Sequence, residues 1–207
     1  MGQYYKPVSI EKKEHVLSHS YDSGLKLMEH SWLGNHFVKA VETLIVKGGA
    51  WFGDRIVWAG DYADPEPGVI DPEYPGREMN LYGICNKEVH PNVDQTKKAK
   101  ALRYVINLDL KEFVDTTKVP ISDIWTDNEG KEWPYIIHPL PVLTCEGNGR
   151  GGGDLHKESP LVGLWARNRV TMDSKKPKGF TELEFNLYEG KEPMKLKPKV
   201  KKEKVNV

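Results

Sequence analysis

The stretch from His138 to Asp154, HPLPVLTCEGNGRGGGD, places the strongest demand on the backbone of this chain. A strand-like apolar run ends in a loop with five glycines among the seven residues 147–153, broken only by Asn148 and Arg150. Glycine alone enters the left-handed region without a steric penalty, and it loses the most entropy when ordered. Such a loop is either mobile or shaped around something that approaches the backbone closely.

The remaining sequence supplies mainly strands to carry that loop. QYYKPVSI reads as a short strand, with Pro7 pointing to a sheet edge. EKKEHVLSHSYDSG completes a hairpin with it. Further strands are expected at 55–59, at LYGIC (81–85), around Tyr104, Ile106 and Leu108, after the Asn128-Glu129-Gly130 turn, and over LVGLWARNRVTM. GFTELEFNLYE is the clearest: Phe180, Leu183, Phe185 and Leu187 are set against Glu182, Glu184 and Asn186.

Helical periodicity is scarcer. At about 100° per residue, Leu25, Met28 and Trp32 share one face, and Phe37, Ala40, Val41 and Leu44 another. The phase slips at Gly34-Asn35, so the main helix is expected over about 36–46, with Gly48-Gly49 as its stop. A separate helical piece precedes Gly34. Short helices are expected over 95–102 and in LKEFVDTTKV. Pro65, Pro67, Pro72 and Pro75 leave 61–80 as a long acidic surface loop. Without a βαβ rhythm, the class is α+β with a mostly antiparallel sheet and long Pro-rich and Gly-rich loops. Residues 1–189 read as one domain and 190–207 as a disordered Lys-rich tail.

Composition bounds the function. Hydrophobic residues at 38% and charged ones at 29% fit a chain that folds in water. No apolar run approaches the roughly 18–20 residues of a membrane helix. MGQYYKPVSI lacks a secretory pattern, so a cytoplasmic location is expected. Cys85 and Cys145 are too few for a disulfide framework. The formal net charge is zero, yet the tail carries seven Lys against Glu192 and Glu203, which leaves the body acidic. Duplex nucleic acid is therefore not the expected partner.

Gly147-x-Gly149-x-x-Gly152 formally matches a dinucleotide fingerprint, with Asp173 further on. That fingerprint needs a helix opening at the loop, whereas DLHKESP is aperiodic and ends at Pro160. No Lys-Ser/Thr follows, which excludes a Walker A loop. What remains is an anion-binding nest from Gly147, Asn148, Gly149, Arg150, Gly151, Gly152 and Asp154, with Arg150 as the phosphate clamp. A ligand-free hairpin tip is the competing reading. Asp61 and Asp64 follow a strand and could act as a general base or hold Mg²⁺, and His156 could act as an acid. Solvated acidic residues are the alternative. Cys85-x4-His90 with Cys145-x10-His156 could form a zinc site if their strands were adjacent.

MGQYYKP, GLKLMEHSWLGNHFV, RIVWAGDYAD, HPLPVLTCEGNGRGGGD, WAR and GFTELEF together resemble a family of uncharacterised proteins of bacteria and their phages. The resemblance spans most of the chain. It implies a cytoplasmic protein of a bacterial or phage-infected cell and carries over no catalytic residue. The expected function is binding or hydrolysis of a phosphate-bearing small molecule, foremost a nucleotide. The alternative is a phage-type accessory protein that binds and inhibits a host protein through its acidic loop and basic tail.

Overall fold

Residues 5–9 pair with 56–60, and this register organises the main sheet. The computed structural model describes residues 2–93, 102–147 and 159–187. In chain order the strands are β1 (Tyr5–Ser9), β2 (Glu14–His15), β3 (Arg55–Gly60), β4 (Lys87–Glu88), β5 (Tyr104–Asn107), β6 (Glu112–Asp115), β7 (Asp123–Thr126), β8 (Glu132–Tyr135), β9 (Cys145–Glu146), β10 (Asn168–Asp173) and β11 (Thr181–Glu182). The helices are α1 (Leu27–His30), α2 (His36–Ile45), α3 (Leu81–Ile84) and α4 (Pro139–Thr144).

Nine strands form one sheet in the order β11-β6-β5-β10-β3-β1-β2-β4, with β9 alongside β3, while β7 and β8 form a separate hairpin. The protein is α+β and its sheet is mostly antiparallel. Three pairs are parallel: β2 with β4, β3 with β9, and β6 with β11.

Side chains alternate across a strand, so the register sorts the residues into two layers. Tyr5, Ile56 and Trp58 enter the main core with Phe37, Val41 and Ile45 of α2, Leu140 and Leu143 of α4, and Trp51 and Trp165. On the opposite face Val8, Val57 and Ala59 pack beneath Leu81 of α3 and Cys85 just after it. Helix α2 matches its expected span, and the Asn35 side chain caps it by accepting from the Phe37 and Val38 amides. Among the described residues no helix is long and apolar enough to cross a membrane.

Several local expectations change in the fold. Pro7 lies in an inner strand, between β3 and β2, rather than at an edge. Its carbonyl accepts from Val16, and the reciprocal bond that its missing N–H cannot make falls just past the end of the two-residue β2. LYGIC is not a strand. Asn80 accepts from the Gly83 amide and starts α3 there. The apolar run before the Gly-rich loop is helix α4, with Pro139 in the first turn and His138 as its cap. In LKEFVDTTKV residues 112–115 are strand β6, because they pair with β5 in a hairpin, and the helical part is a single 3-10 turn at Thr116–Lys118. In LVGLWARNRVTM regular pairing starts only at Asn168, after a run of turns. GFTELEFNLYE keeps only Thr181–Glu182 as strand, since only these residues meet a partner in β6.

The 61–80 loop is knit together despite its prolines. Met79 donates to Val69, Asp71 to Arg77 and Glu66 to Met79, each through its backbone amide. The helix expected at 95–102 and the Lys-rich tail lie outside the described residues, apart from Leu102.

Candidate functional site

Strands β3 and β9 run parallel, with Trp58 opposite Cys145 and Ala59 opposite Glu146. Their carboxyl ends therefore release the acidic loop and the Gly-rich loop side by side. β1 enters antiparallel at the same end, with Tyr5 opposite Gly60. Here the two loops singled out in the sequence meet at their roots.

At both roots a side chain larger than hydrogen would have to displace a neighbour. A Cβ on Gly147 would lie 2.4 Å from the Tyr5 hydroxyl and 2.5 Å from Oε1 of Gln3. One on Gly60 would lie 2.5 Å from Nε2 of Gln3. The Gln3 side chain thus passes over both glycines, and the Tyr5 hydroxyl over Gly147. The Tyr5 hydroxyl donates to Oε1 of Gln3 at 2.7 Å. Burial pushes the Tyr5 phenol well above its ordinary range, so it stays a neutral donor. The other end of the same amide, Nε2, is buried without a partner among the described residues. Exchanging the amide's oxygen and nitrogen would leave the Tyr5 O–H without its acceptor, so the hydroxyl fixes Oε1 towards Tyr5 and Nε2 as the unpaired end.

Arg167 ties the end of β9 to the acidic loop. Its guanidinium donates to both carboxylate oxygens of Glu146 at 2.6 Å, and to Glu66 through Nη1 at 3.2 Å and through Nη2. Glu146 ends β9 and Glu66 lies in the acidic loop, so one cation pins both segments. These carboxylates hold the Arg167 guanidinium far above any physiological titration. Its backbone sits in the left-handed region, φ 66°, which is costly for a residue with a Cβ. Its amide nonetheless donates to the Ile56 carbonyl of β3. With both carboxylates engaged, Arg167 is a brace and not a spare phosphate receptor.

Asp61 is half-buried at this junction. Its Oδ1 accepts from the Tyr4 amide at 3.0 Å, and its own amide donates to the Tyr4 carbonyl at 2.9 Å. Asp64 is exposed on the following turn. Gly147 belongs to the described structure. Asn148, Gly149, Arg150, Gly151, Gly152, Asp154 and His156 lie outside the described residues.

Among the described residues no three His, Cys, Asp or Glu side chains are grouped to hold a metal ion. Asp61 and Asp64 therefore need further ligands to bind Mg²⁺. The joint zinc site does not form: Cys145 lies in the main core and Cys85 in the cluster on the opposite face. Gln3, Tyr5 and Arg167 carry no periodicity or spacing that marks them. Their signal lies only in the pairing of strands distant in sequence. Neither a family model, nor a curated protein, nor a solved structure matches the chain.

Proposed function

We propose that this protein binds a phosphate-bearing small molecule, foremost a nucleotide, where the loops after β3 and β9 leave the sheet. The observation that carries this reading is the orphaned Gln3 amide, because a buried donor without an acceptor costs about 1–3 kcal/mol. Nε2 faces the two glycine roots, and a phosphate oxygen is an acceptor suited to it. The Gly-rich sequence that continues from Gly147 supplies further amides, and Arg150 a bidentate cation. Asp61, with one oxygen taken by Tyr4, is the group nearest this junction that could serve as a base or share a Mg²⁺ ion.

A thermal-shift panel of mono-, di- and cyclic nucleotides, each with and without Mg²⁺, tests the reading on wild type, Gln3→Leu and Arg150→Ala. A ligand at a hundred times its Kd stabilises by about 2.7 kcal/mol, a shift of several degrees for a chain this size. A shift in wild type that weakens in both variants supports the site. Equal shifts in all three proteins, or none in any, remove it.

A second reading has its own observation. The acidic 61–80 loop exposes Tyr62, Val69, Ile70 and Tyr74 among its carboxylates. Clustered exposed apolar groups rimmed by charge suit a protein partner. Under this reading Ile70→Lys abolishes capture of a stoichiometric partner that wild type retains on size exclusion.

A further inference from the structure

The layer between the sheet and α3 holds a group that neither reading uses. Lys6 lies opposite Ala59 on the face that carries Val8 and Val57, and it is only 6% exposed. No carboxylate among the described residues lies within ion-pair distance of its ammonium. What the amine meets is the ring of Tyr82, 4.4 Å from Nζ to the centroid. A cation buried against aliphatic side chains without a counter-ion is costly unless it gives up its proton.

A second unpartnered group shares this layer. His15 lies opposite Val8 and is therefore a diagonal neighbour of Lys6 on the same face. Its Nδ1 is buried and has no hydrogen-bond partner among the described residues. The remaining titratable groups acting on Lys6 are the Cys85 thiol and, from exposed β4, Glu88; His90 acts on His15. Burial pushes the thiol up to about 11, so it contributes no charge near neutrality. Burial likewise lowers the Lys6 amine to about 8 and holds His15 below its usual range, which favours the neutral ring.

We propose that Lys6 is a nucleophilic amine that captures a small aldehyde or 2-oxo acid as an imine in this layer. The Nζ lone pair attacks the carbonyl carbon, and the C=O π pair moves to oxygen. Nδ1 of His15 takes the proton shed by the nitrogen and returns it to that oxygen. The carbinolamine nitrogen then gives its remaining proton through the same imidazole to the hydroxyl, which leaves as water as the nitrogen lone pair forms the C=N bond. The net change is amine plus carbonyl to imine plus water, with no oxidant or reductant. The site lies on the opposite face from Gln3 and Tyr5 and stands apart from the nucleotide reading.

The test is reductive trapping of wild-type protein with glyoxylate or acetaldehyde and cyanoborohydride, with each lysine followed by peptide mapping. Lys39, Lys47 and Lys178, all exposed, serve as internal comparators. At pH 7 Lys6 is expected to react about tenfold faster than these or more, with half-maximal rate near pH 8, because far more of it is neutral. That advantage should vanish in concentrated urea, and His15→Asn should slow trapping at Lys6 without moving its pH midpoint. The proposal is overturned if Lys6 reacts no faster than the comparators, or keeps its advantage after unfolding.

Discussion

At the scale of single residues, close approach and burial make the sharpest predictions. Gly147→Ala forces the Tyr5 hydroxyl and the Gln3 amide to move, and it is expected to destabilise by about 1–3 kcal/mol in urea unfolding. His30 is fully buried, with Nε2 accepting from the Trp58 indole at 2.9 Å and Nδ1 facing the Gly24 carbonyl at 3.0 Å. Both contacts fit only the neutral ring, and burial lowers its pKa to about 4. The unfolded chain then takes up a proton near pH 6.5 that the folded chain refuses. Stability is expected to fall as pH drops from about 6.5 towards 4, and that component should be absent from His30→Gln. Lys6 acts with the same sign at higher pH. The folded chain releases its proton near 8 while the unfolded chain holds it to about 10.5, so stability rises across that window. Lys6→Met should therefore melt higher than wild type at pH 7, with the gap narrowing as pH rises from 8 to 10.

Elements in this fold are set by caps and partners more than by periodicity. Asn80 accepts from the Gly83 amide and donates to the Asp61 and Ala63 carbonyls, so it starts α3 and fastens it to the end of β3. Asn80→Ala is expected to cost about 1–3 kcal/mol in denaturant melts. Helix α2 was legible because Asn35, Gly48 and an apolar stripe all agree on it, and β3 because its β-rich run ends at a turn. LYGIC misled because four residues fit either period, and only the cap decides between them. GFTELEFNLYE misled in the opposite sense. Its alternation buries Phe185, but a strand also needs a neighbour, and β6 offers one to two residues only. The same limit governs the site. Gly147 and Asp61 stand out locally, whereas Gln3, Tyr5 and Lys6 acquire meaning only once β1 lies beside β3.

Across the whole molecule the tryptophans divide evenly: Trp51, Trp58 and Trp165 are fully buried, while Trp32, Trp125 and Trp133 are exposed. Iodide is expected to quench about half of the native emission, and the shielded half should become accessible in one step with the loss of far-UV ellipticity. One transition is expected because β10 joins the two halves of the sheet, pairing with β3 on one side and β5 on the other. That joint also sets an order of events during synthesis. β1 and β2 can close on β3 once about sixty residues have emerged, since all three lie before residue 61. The opposite edge of β3, backed by Trp58, must wait for residues 145–146 and 168–169. A nascent chain halted between these points presents an unpaired inner edge, so translation pauses or premature stops in this interval should raise aggregation more than those near the carboxyl terminus.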